Sequence, residues 1–298
     1  MIFSKIKSFI AYLKRLEYNA NRLIFEQRKI QLENFILQST ERGISDYKYC
    51  DEQIIVSLTT YGKRIYDVYL SIASIMLQTY KPNRIVLWLD YSFSDFVLPK
   101  YLLLLKEKGL EIRFCEDLRS YKKLIPSLKE FPNDAIVTIE DDIIYDADSL
   151  EKLITAYQKA PQFIHSSRHH IMKLNNGKLQ PYNNWEWVSK STDPDVLNFP
   201  TGGAGTLYPP HSLDDEVFNK DIFMKICPTA DDVWFKAMAL KKGTLSQKIV
   251  THTPTSEDYI YNLYVQDSAL MQENVYNNGN DIQIQKVFCK YNLLEKLK

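Results

Sequence analysis

Three consecutive carboxylates, Glu140, Asp141 and Asp142, follow a run of strand-forming residues in the stretch AIVTIEDDIIY at positions 135–145. Like charges at the end of a buried strand repel one another and cost desolvation free energy. A hard divalent cation, Mg²⁺ or Mn²⁺, takes such oxygen ligands, usually bridges phosphates, and would neutralise the repulsion. We expect Asp142 first, and then Glu140 or Asp141, to bind the metal. Alternatively, the acids are solvated residues preceding a helix at Ser149.

The segments around these acids predict an α/β fold. Apolar, β-rich runs alternate with helical patterns, which are predicted at 68–78, 99–108 and 149–159, and the predicted strands read IIVSLTT, RIVLWLD, LEIRFC and AIVTIEDD. This alternation indicates a mainly parallel sheet covered on both faces, a Rossmann-like arrangement. Ligands of such sheets bind beyond the carboxyl ends of the strands. The three acids fall there, and so does Asp90.

The second half of the chain predicts a mixed α+β continuation. It contains a short strand in FIHSSR, the glycine loop TGGAGTLYPP, and the segment CPTADDVWFKAMALKKG. The last of these predicts an N-capped helix with acids in its first turn. We therefore expect one domain over residues 50–298, in which residues 50–150 and 151–298 form two halves.

Residues 1–45 form a separate N-terminal segment. The first 40 residues contain no Gly or Pro and predict one long helix. Apolar positions spaced by four and three form a heptad seam. The seam comprises Ile2, Ile6, Phe9, Leu13, Leu16, Ala20, Leu23, Gln27, Ile30, Asn34 and Leu37. Lysines and arginines lie between them, with few acids. Two interpretations stay open: a coiled coil or packing onto the protein's own body, and a basic amphipathic face on anionic lipid.

Composition excludes several protein classes. The 298 residues have a formal net charge of zero, so they lack the basic field of nucleic-acid binders. The four cysteines are far apart and show no zinc-ligand spacing, which favours reduced thiols in a cytoplasmic protein. No apolar run approaches the roughly 20 residues that span a bilayer. The basic N-terminus also lacks a signal-peptide core. We expect a cytoplasmic protein, with peripheral contact at the inner face of the membrane as an alternative.

The order of four segments resembles the nucleotide-binding half of a GT-A-fold glycosyltransferase. These segments are IIVSLTTYGKRI, QTYKPNRIVLWLD, YKKLIPSL and DAIVTIEDDIIYDADSLEKLI. The resemblance is to bacterial family 2-type enzymes of surface polysaccharide synthesis. It covers residues 52–160 and extends less specifically, through TGGAGTLYPP and CPTADDVWF, to about residue 255. In that family a DxD-like motif at the fourth strand holds the metal. The motif here is Glu-Asp-Asp, which departs from a strict Asp-x-Asp.

The resemblance implies a donor site in residues 50–150. Hydroxyls and a fixed cation after the first strand would meet ribose and diphosphate, an acid after the second strand would accept from uracil or ribose, and a lysine would approach the diphosphate. An ordinary loop, turn or solvated helix face is the alternative in each case. The residues are Thr59, Thr60, Tyr61, Arg64, Asp90, Lys122 and Lys123.

The resemblance also implies a catalytic base in PTADDVW, within the acceptor-binding half. A sugar hydroxyl is a poor nucleophile until a base takes its proton. We expect Asp231 to act as this base, because Asp232 could cap the following helix. Capping by both acids is the alternative. Gly202 and Gly203 would let the backbone approach the donor and acceptor sugars closely, unless they form an ordinary turn.

Two further residue types acquire roles from the same resemblance. Some GT-A enzymes place a late histidine on the metal, which would be His252 here, although a lone histidine is also common at surfaces and in cores. Trp185 and Trp187 could stack on a sugar ring, or pack in the core.

We therefore expect a metal-dependent glycosyltransferase that uses Mn²⁺ or Mg²⁺ and a nucleotide diphosphate sugar, with a UDP-sugar as the expected donor. The resemblance implies inversion at the anomeric carbon and a glycan or lipid-linked glycan acceptor, as in capsule or lipopolysaccharide synthesis. Residues 1–40 would contact the membrane or form a homodimer. A sugar nucleotidyltransferase is one alternative, although TTYGKRI has only one glycine. A catalytically inactive carbohydrate-binding relative is the other.

Overall fold

The computed structural model describes residues 2–253, 258–265 and 279–297. The α-helices in these ranges are α1 Ile2–Gln38, α2 Tyr69–Met76, α3 Lys100–Glu107, α4 Ile125–Glu130, α5 Ser149–Lys159, α6 Lys220–Ile226, α7 Asp231–Lys242 and α8 Gly279–Tyr291. The strands that build the main sheet and its small satellites are β1 Ile54–Thr59, β2 Arg84–Asp90, β3 Leu110–Cys115, β4 Ala135–Thr138, β5 Ile143–Tyr145, β6 Ile164–Ser166, β7 His169–Ile171, β8 Leu174–Asn175, β9 Lys178–Leu179, β10 Asn198–Pro200, β11 Thr206–Tyr208, β12 Ser246–Lys248 and β13 Tyr259–Tyr261.

The main sheet has seven strands in the order β12-β6-β11-β4-β1-β2-β3. Strand β11 runs antiparallel to both of its neighbours, and the other strands run in one direction. The predicted mixed, mainly parallel sheet is confirmed. Strands from both halves of the chain pair in this sheet, so the carboxyl ends of β1, β2 and β4 lie at one edge beside the antiparallel β11.

Helices cover both faces of the sheet, because its inner strands are apolar on both sides. In β1, Ile54, Val56 and Leu58 face a core shared with α1, α2, α3 and α5. Ile55, between them, faces a second core that includes α4, α6, α7 and α8. This two-sided burial fixes the direction in which each strand delivers its last residues.

One predicted strand end and one predicted helix cap are wrong near the acids. Strand β4 ends at Thr138, so the three acids lie in the turn between β4 and β5, where strand alternation no longer applies. The buried Tyr145 hydroxyl accepts a hydrogen bond from the Glu140 N–H at 2.9 Å, which a ladder partner would otherwise satisfy. The predicted side-chain cap of α7 is also wrong, because Ala230 occupies the N-cap position and no side chain caps the helix.

The long N-terminal helix is confirmed, but the heptad seam does not pack on the body of the protein. Phe25, Leu32, Phe35 and Ile36 are the buried residues of α1, and they lie on a different face. The described seam residues are exposed, including Leu23, Ile30 and Leu37, and residues 6–24 are exposed on every side. Within the described ranges, no helix has the length and apolar character needed to cross a membrane.

Substitution of Leu32 by Ala tests which face of α1 docks. Leu32 is 0% exposed and Leu23 is 72% exposed on the same helix. We expect Leu32→Ala to lower the free energy of unfolding by about 2–5 kcal/mol through lost burial and a cavity. Leu23→Ala should change it by less than about 0.5 kcal/mol. Urea denaturation of both variants measures this, and equal losses would contradict the assigned docking face.

Candidate active site

A cavity of about 510 Å³ opens at the carboxyl edge of the sheet, over β1, β2 and β4. Residues from the ends of these strands line it because parallel strands deliver their last residues to the same edge. Among the residues singled out in the sequence, this first cavity brings together Thr59, Thr60, Tyr61, Arg64, Asp90, Lys122, Lys123, Glu140, Asp141 and Asp142.

Asp141 is buried and held by groups that follow β1. Thr60 Oγ1 donates to Asp141 Oδ2 at 2.6 Å, and Arg64 Nη1 donates to Asp141 Oδ1 at 2.6 Å. Burial raises the pKa of Asp141, and Arg64 and Thr60 oppose that rise. Because both carboxylate oxygens already have partners, Asp141 fits a role in positioning the turn better than one in holding a ligand.

Asp142 is the acid of the turn that is least compensated. Its Oδ2 lies 3.4 Å from Arg64 Nη1. Burial, with the charges of Glu140 and Asp141, raises the pKa of Asp142 to about 6. A carboxylate in this environment gains from an added cation. Glu140 and Asp142 therefore fit a hard divalent cation shared with phosphate oxygens, since such sites often use only one or two protein carboxylates. In the described part of the chain, no group of three or more His, Cys, Asp or Glu residues could hold a metal.

Lys122 is almost completely buried and lines the first cavity. Its Nζ lies 2.8 Å from Asp90 Oδ2 and 3.1 Å from Asp117 Oδ1. Burial alone would raise the pKa of Asp90, but hydrogen bonds from Lys122 and Ser92 lower it below its usual value. Asp90 thus stays ionised, with Oδ2 held by Lys122 and Oδ1 held by Ser92.

Lys123 connects the acidic turn to α7. Its buried Nζ lies 2.6 Å from Glu140 Oε1 and 2.9 Å from Asp231 Oδ2. Burial alone would lower the pKa of Lys123, but Asp231 and Glu140 raise it well above its usual value. Ser57 in β1 donates its hydroxyl to the Lys123 carbonyl at 2.6 Å, which fixes the lysine over the end of β1. Lys123 is therefore a permanent positive charge between two acids.

Gly202 lies where these groups converge. A Cβ at this position would come within 2.7 Å of Glu140 Oε1 and within 3.0 Å of both Asp232 Oδ1 and Lys123 Nζ. Contacts this short are absent from well-packed interiors, so any side chain would force charged groups apart. The Gly202 N–H also donates to Asp232 Oδ2 at 3.1 Å. The glycine is needed for close approach.

A second cavity, of about 270 Å³, adjoins the first and shares Lys123 and Glu140 with it. Both Asp231 and Asp232 line it. Asp231 is paired with Lys123, whereas Asp232 is partly exposed and takes one backbone hydrogen bond. Burial and the charge of Asp231 raise the pKa of Asp232 above its usual value. A carboxylate with a raised pKa is the better proton acceptor at neutral pH.

The remaining sides of the second cavity are aromatic and basic. Trp187 is 41% exposed and stacks on His170, with ring centroids 5.1 Å apart. Arg168 lies across the cavity, and its Nη2 lies 2.9 Å from the position that a Cβ on Gly203 would take. Gly203 therefore makes room for the guanidinium group.

Two predicted site residues lie elsewhere. His252 Nε2 lies 2.6 Å from Asp148 Oδ2, at the start of α5, and His252 lines neither cavity. The structure thus gives no support to His252 as a partner of Glu140 and Asp142 on a metal. Trp185 is 4% exposed, donates its indole N–H to the Gln180 carbonyl, and packs in the core.

Several residues that line the cavities were not singled out in the sequence. Asp117, Arg119 and Ser120 follow β3, whose carboxyl end lies at the same edge, and this position was a usable signal. Arg168 follows the short strand β6, where no pattern marked it. Gln283 in α8 lies behind the cavities, where it accepts hydrogen bonds from the Thr229 and Ala230 N–H groups and so holds the loop before α7. No sequence pattern marked it, because it is more than 50 residues from that loop along the chain.

No protein-family model and no curated protein matches the chain. Among solved structures, residues 1–349 of S. aureus TarS align with 14% identity and a TM-score of 0.46, over 70% of this chain and 59% of that one. The mannosyltransferase PcManGT from Pyrobaculum calidifontis, in complex with GDP-Man and Mn²⁺, aligns with 11% identity and a TM-score of 0.49, over 94% and 76%. The chain thus spans less than two thirds of the TarS structure. Similarity this low does not decide its function, which depends on the site.

Removal of the Lys123 charge tests the ion network. In Lys123→Met, Glu140 and Asp231 lose their buried partner, and we expect the free energy of unfolding to fall by about 3–5 kcal/mol. The loss arises because both carboxylates would stay at the contact between the β4–β5 turn and α7 without a cation between them.

The control is Lys241→Met, because Lys241 forms a partly exposed pair with Asp214 at 2.7 Å. It should cost no more than about 1 kcal/mol. Denaturant titrations at pH 7 measure the free energy of unfolding of both variants. A Lys123→Met protein as stable as the control at pH 7 would contradict the network.

Proposed function

We propose that this chain is a metal-dependent glycosyltransferase that moves a sugar from a nucleotide diphosphate sugar to a hydroxyl acceptor. The observation that supports this most directly is the pair of adjoining cavities that meet at Lys123 and Glu140. One has the acids and cations that suit a nucleotide diphosphate, and the other has a carboxylate that suits a base. The halves 50–150 and 151–298 would then bind donor and acceptor, respectively.

The donor would occupy the first cavity. Tyr61 is 46% exposed and lies beside Arg64, so it offers an aromatic face for a nucleobase. Arg64 and Lys123 place positive charge near the diphosphate. Asp90, whose oxygens also bind Lys122 and Ser92, would accept a hydrogen bond from ribose or base through a remaining lone pair. Thr59 donates its hydroxyl to the Trp88 carbonyl, so it would shape the cavity from beneath.

Mn²⁺ or Mg²⁺ would be held by Asp142 and Glu140 together with the diphosphate. When bound, such a cation neutralises charge that develops on the leaving nucleotide diphosphate. The chain itself contributes Lys123 and Arg64 on either side of the acidic turn. The nucleobase of the donor is not assigned, because no described contact distinguishes UDP from other nucleotides.

Asp232 is our choice for the general base. Asp231, the residue favoured in the sequence, is occupied by Lys123, and neither acid caps α7. Asp232 faces the second cavity and has a raised pKa. It would take the proton of an acceptor hydroxyl as oxygen attacks the anomeric carbon and the bond to the diphosphate breaks. One such displacement inverts the anomeric centre, and a surface glycan such as capsule or lipopolysaccharide remains the proposed acceptor.

Two substitutions separate donor binding from chemistry. We expect a nucleoside diphosphate to stabilise the protein against heat only with Mn²⁺, by about 2.7 kcal/mol at 100 times the Kd. Asp142→Asn should lose this metal-dependent stabilisation. Asp232→Asn should retain it but lower kcat about 10²–10⁴-fold, because the proton acceptor is removed. Thermal shift and turnover across a panel of nucleotide sugars measure both, and the anomer of the product reports inversion.

Asp231→Asn is the matched control, and a larger loss of kcat in that variant would assign the base to Asp231. Release of pyrophosphate from a nucleoside triphosphate and a sugar 1-phosphate would support the nucleotidyltransferase alternative. Binding of a glycan without turnover of any nucleotide sugar would support the inactive relative.

We also propose that α1 binds an anionic membrane surface and so holds the enzyme at the inner face of the cell membrane. Residues 6–24 are exposed on all sides and include the apolar seam. Ile10 and Ile24 lie beside the seam and widen it beyond the stripe of a two-stranded coiled coil. This stretch contains one acid, Glu17, and four basic residues, Lys7, Lys14, Arg15 and Arg22. Wide apolar faces with flanking cations are typical of helices that lie on anionic lipid.

Vesicle sedimentation with the full chain tests this proposal. We expect binding to vesicles that contain phosphatidylserine and about tenfold weaker binding after Leu13→Glu plus Leu16→Glu, because charged groups would enter the lipid interface. Leu37→Glu, at the other end of α1, is the control and should bind normally. A homodimer in solution that the double substitution dissociates, with no effect on vesicles, would show that the seam serves self-association.

A further inference from the structure

Arg168 is a charged residue of the second cavity for which the mechanism above has no use. It lies between β6 and β7, where its Nε donates to Thr201 Oγ1 at 2.8 Å and its Nη1 donates to the Tyr259 hydroxyl at 3.3 Å. Both partners are neutral. Among the described residues, no carboxylate oxygen lies within 4.0 Å of its side-chain nitrogens.

Within the described ranges, Arg168 therefore has no ion-pair partner, and Asp232 is an acid that acts on it from a greater distance. A guanidinium group stays protonated in proteins. A largely enclosed charge without a counter-charge is costly unless a ligand supplies one. The bonds to Thr201 and Tyr259 fix the orientation of the guanidinium plane, and Nη2 packs closely against Gly203, which has no Cβ to displace it. The group is therefore oriented in advance toward the cavity that it lines.

The acids of the second cavity are partly neutralised. Lys123 pairs with both Glu140 and Asp231 and offsets one of their two charges. Asp232 acts on Arg168 from beyond ion-pair distance, and its role as a base concerns a neutral hydroxyl. Trp187 and His170 form an apolar, aromatic side on which a sugar ring can stack. The cavity thus combines a ring platform, a base and an arginine.

We propose that Arg168 binds an oxyanion, either a carboxylate or a phosphate, on the acceptor, so that the enzyme selects acidic glycans. This proposal rests on the proposed function, because it assumes that the second cavity receives the acceptor. Two N–H donors of a guanidinium match the two oxygens of a carboxylate or phosphate. Arg168 is then a specificity residue that touches substrate, and the acidic group sets which hydroxyl reaches Asp232.

Binding of matched charged and neutral probes tests the proposal without any donor. We expect the full-length protein to bind methyl glucuronide, glycerol 3-phosphate or both about tenfold more tightly than methyl glucoside and glycerol, respectively, as a charge-assisted contact predicts. Comparison of the two anionic probes distinguishes a carboxylate from a phosphate. Ligand-observed NMR titration measures the affinities, and the preference should weaken with added salt.

Substitution of Arg168 tests whether this residue causes the preference for anionic probes. Arg168→Gln should reduce it to less than about twofold, and Arg168→Lys should retain part of it, because lysine keeps the charge but not the planar pair of donors. Arg119→Gln is the matched control, since Arg119 lines only the first cavity, and should keep the full preference. If Arg168→Gln does not fold, Arg168→Lys and the salt dependence decide.

Equal affinity for charged and neutral probes, no binding of any probe, or a preference that survives Arg168→Gln would overturn the proposal. Metal-dependent nucleotide binding, measured in the same preparation, distinguishes failure of the role of Arg168 from failure of the proposed function. If nucleotide binds and turns over while the acidic preference is absent, only the role of Arg168 fails. If the acidic preference depends on Arg168 while no nucleotide sugar is turned over, the proposed function fails and the oxyanion site stands.

Discussion

The buried ammonium group of Lys123 is the interaction on which the geometry of the site depends. It lies between Glu140 in the β4–β5 turn and Asp231 at the start of α7, two segments that belong to different halves of the chain. Without a cation between them, the two carboxylates would repel each other and favour separation of the two segments. Gly202 completes the contact because only a residue without a side chain allows Glu140, Lys123 and Asp232 to approach the same point.

Neutralisation of the acidic turn is shared between the chain and the proposed metal. The sequence suggested that a divalent cation alone allows the three carboxylates to lie together. In the structure, Arg64 holds Asp141 and lies near Asp142, and Lys123 holds Glu140. What remains is Asp142, which lies 3.4 Å from Arg64 Nη1, and burial with the charges of Glu140 and Asp141 raises its pKa. A cation that arrives with a diphosphate would offset the charge of Asp142, so metal affinity would depend on the nucleotide.

The two cavities lie at different regions of one sheet, which would separate donor binding from acceptor binding. The carboxyl ends of β1, β2 and β4 converge because these strands are parallel, and they form the first cavity. The antiparallel β11 lies beside β4, and the segments around it bring Thr201, Arg168 and α7 to the second cavity. A donor and an acceptor could thus meet at their shared boundary. The exposed part of α1, residues 6–24, packs in neither hydrophobic core.

The sequence by itself determined the strands and the edge at which ligands should bind. Strands β2 and β3 have the predicted bounds, because continuous apolar, β-branched runs are stable only when buried on both faces. The sequence also selected most residues of the first cavity, since any residue that follows a parallel strand reaches that edge. Only the tertiary structure decided which charge pairs with which. Asp231 and Asp232 are neighbours in an identical local pattern, yet Lys123 pairs with the first and leaves the second open to the cavity. Arg168 gave no sequence signal, and the sequence did not show that His252 lies beside Asp148, because a partner is chosen by contacts between segments that are distant in the chain.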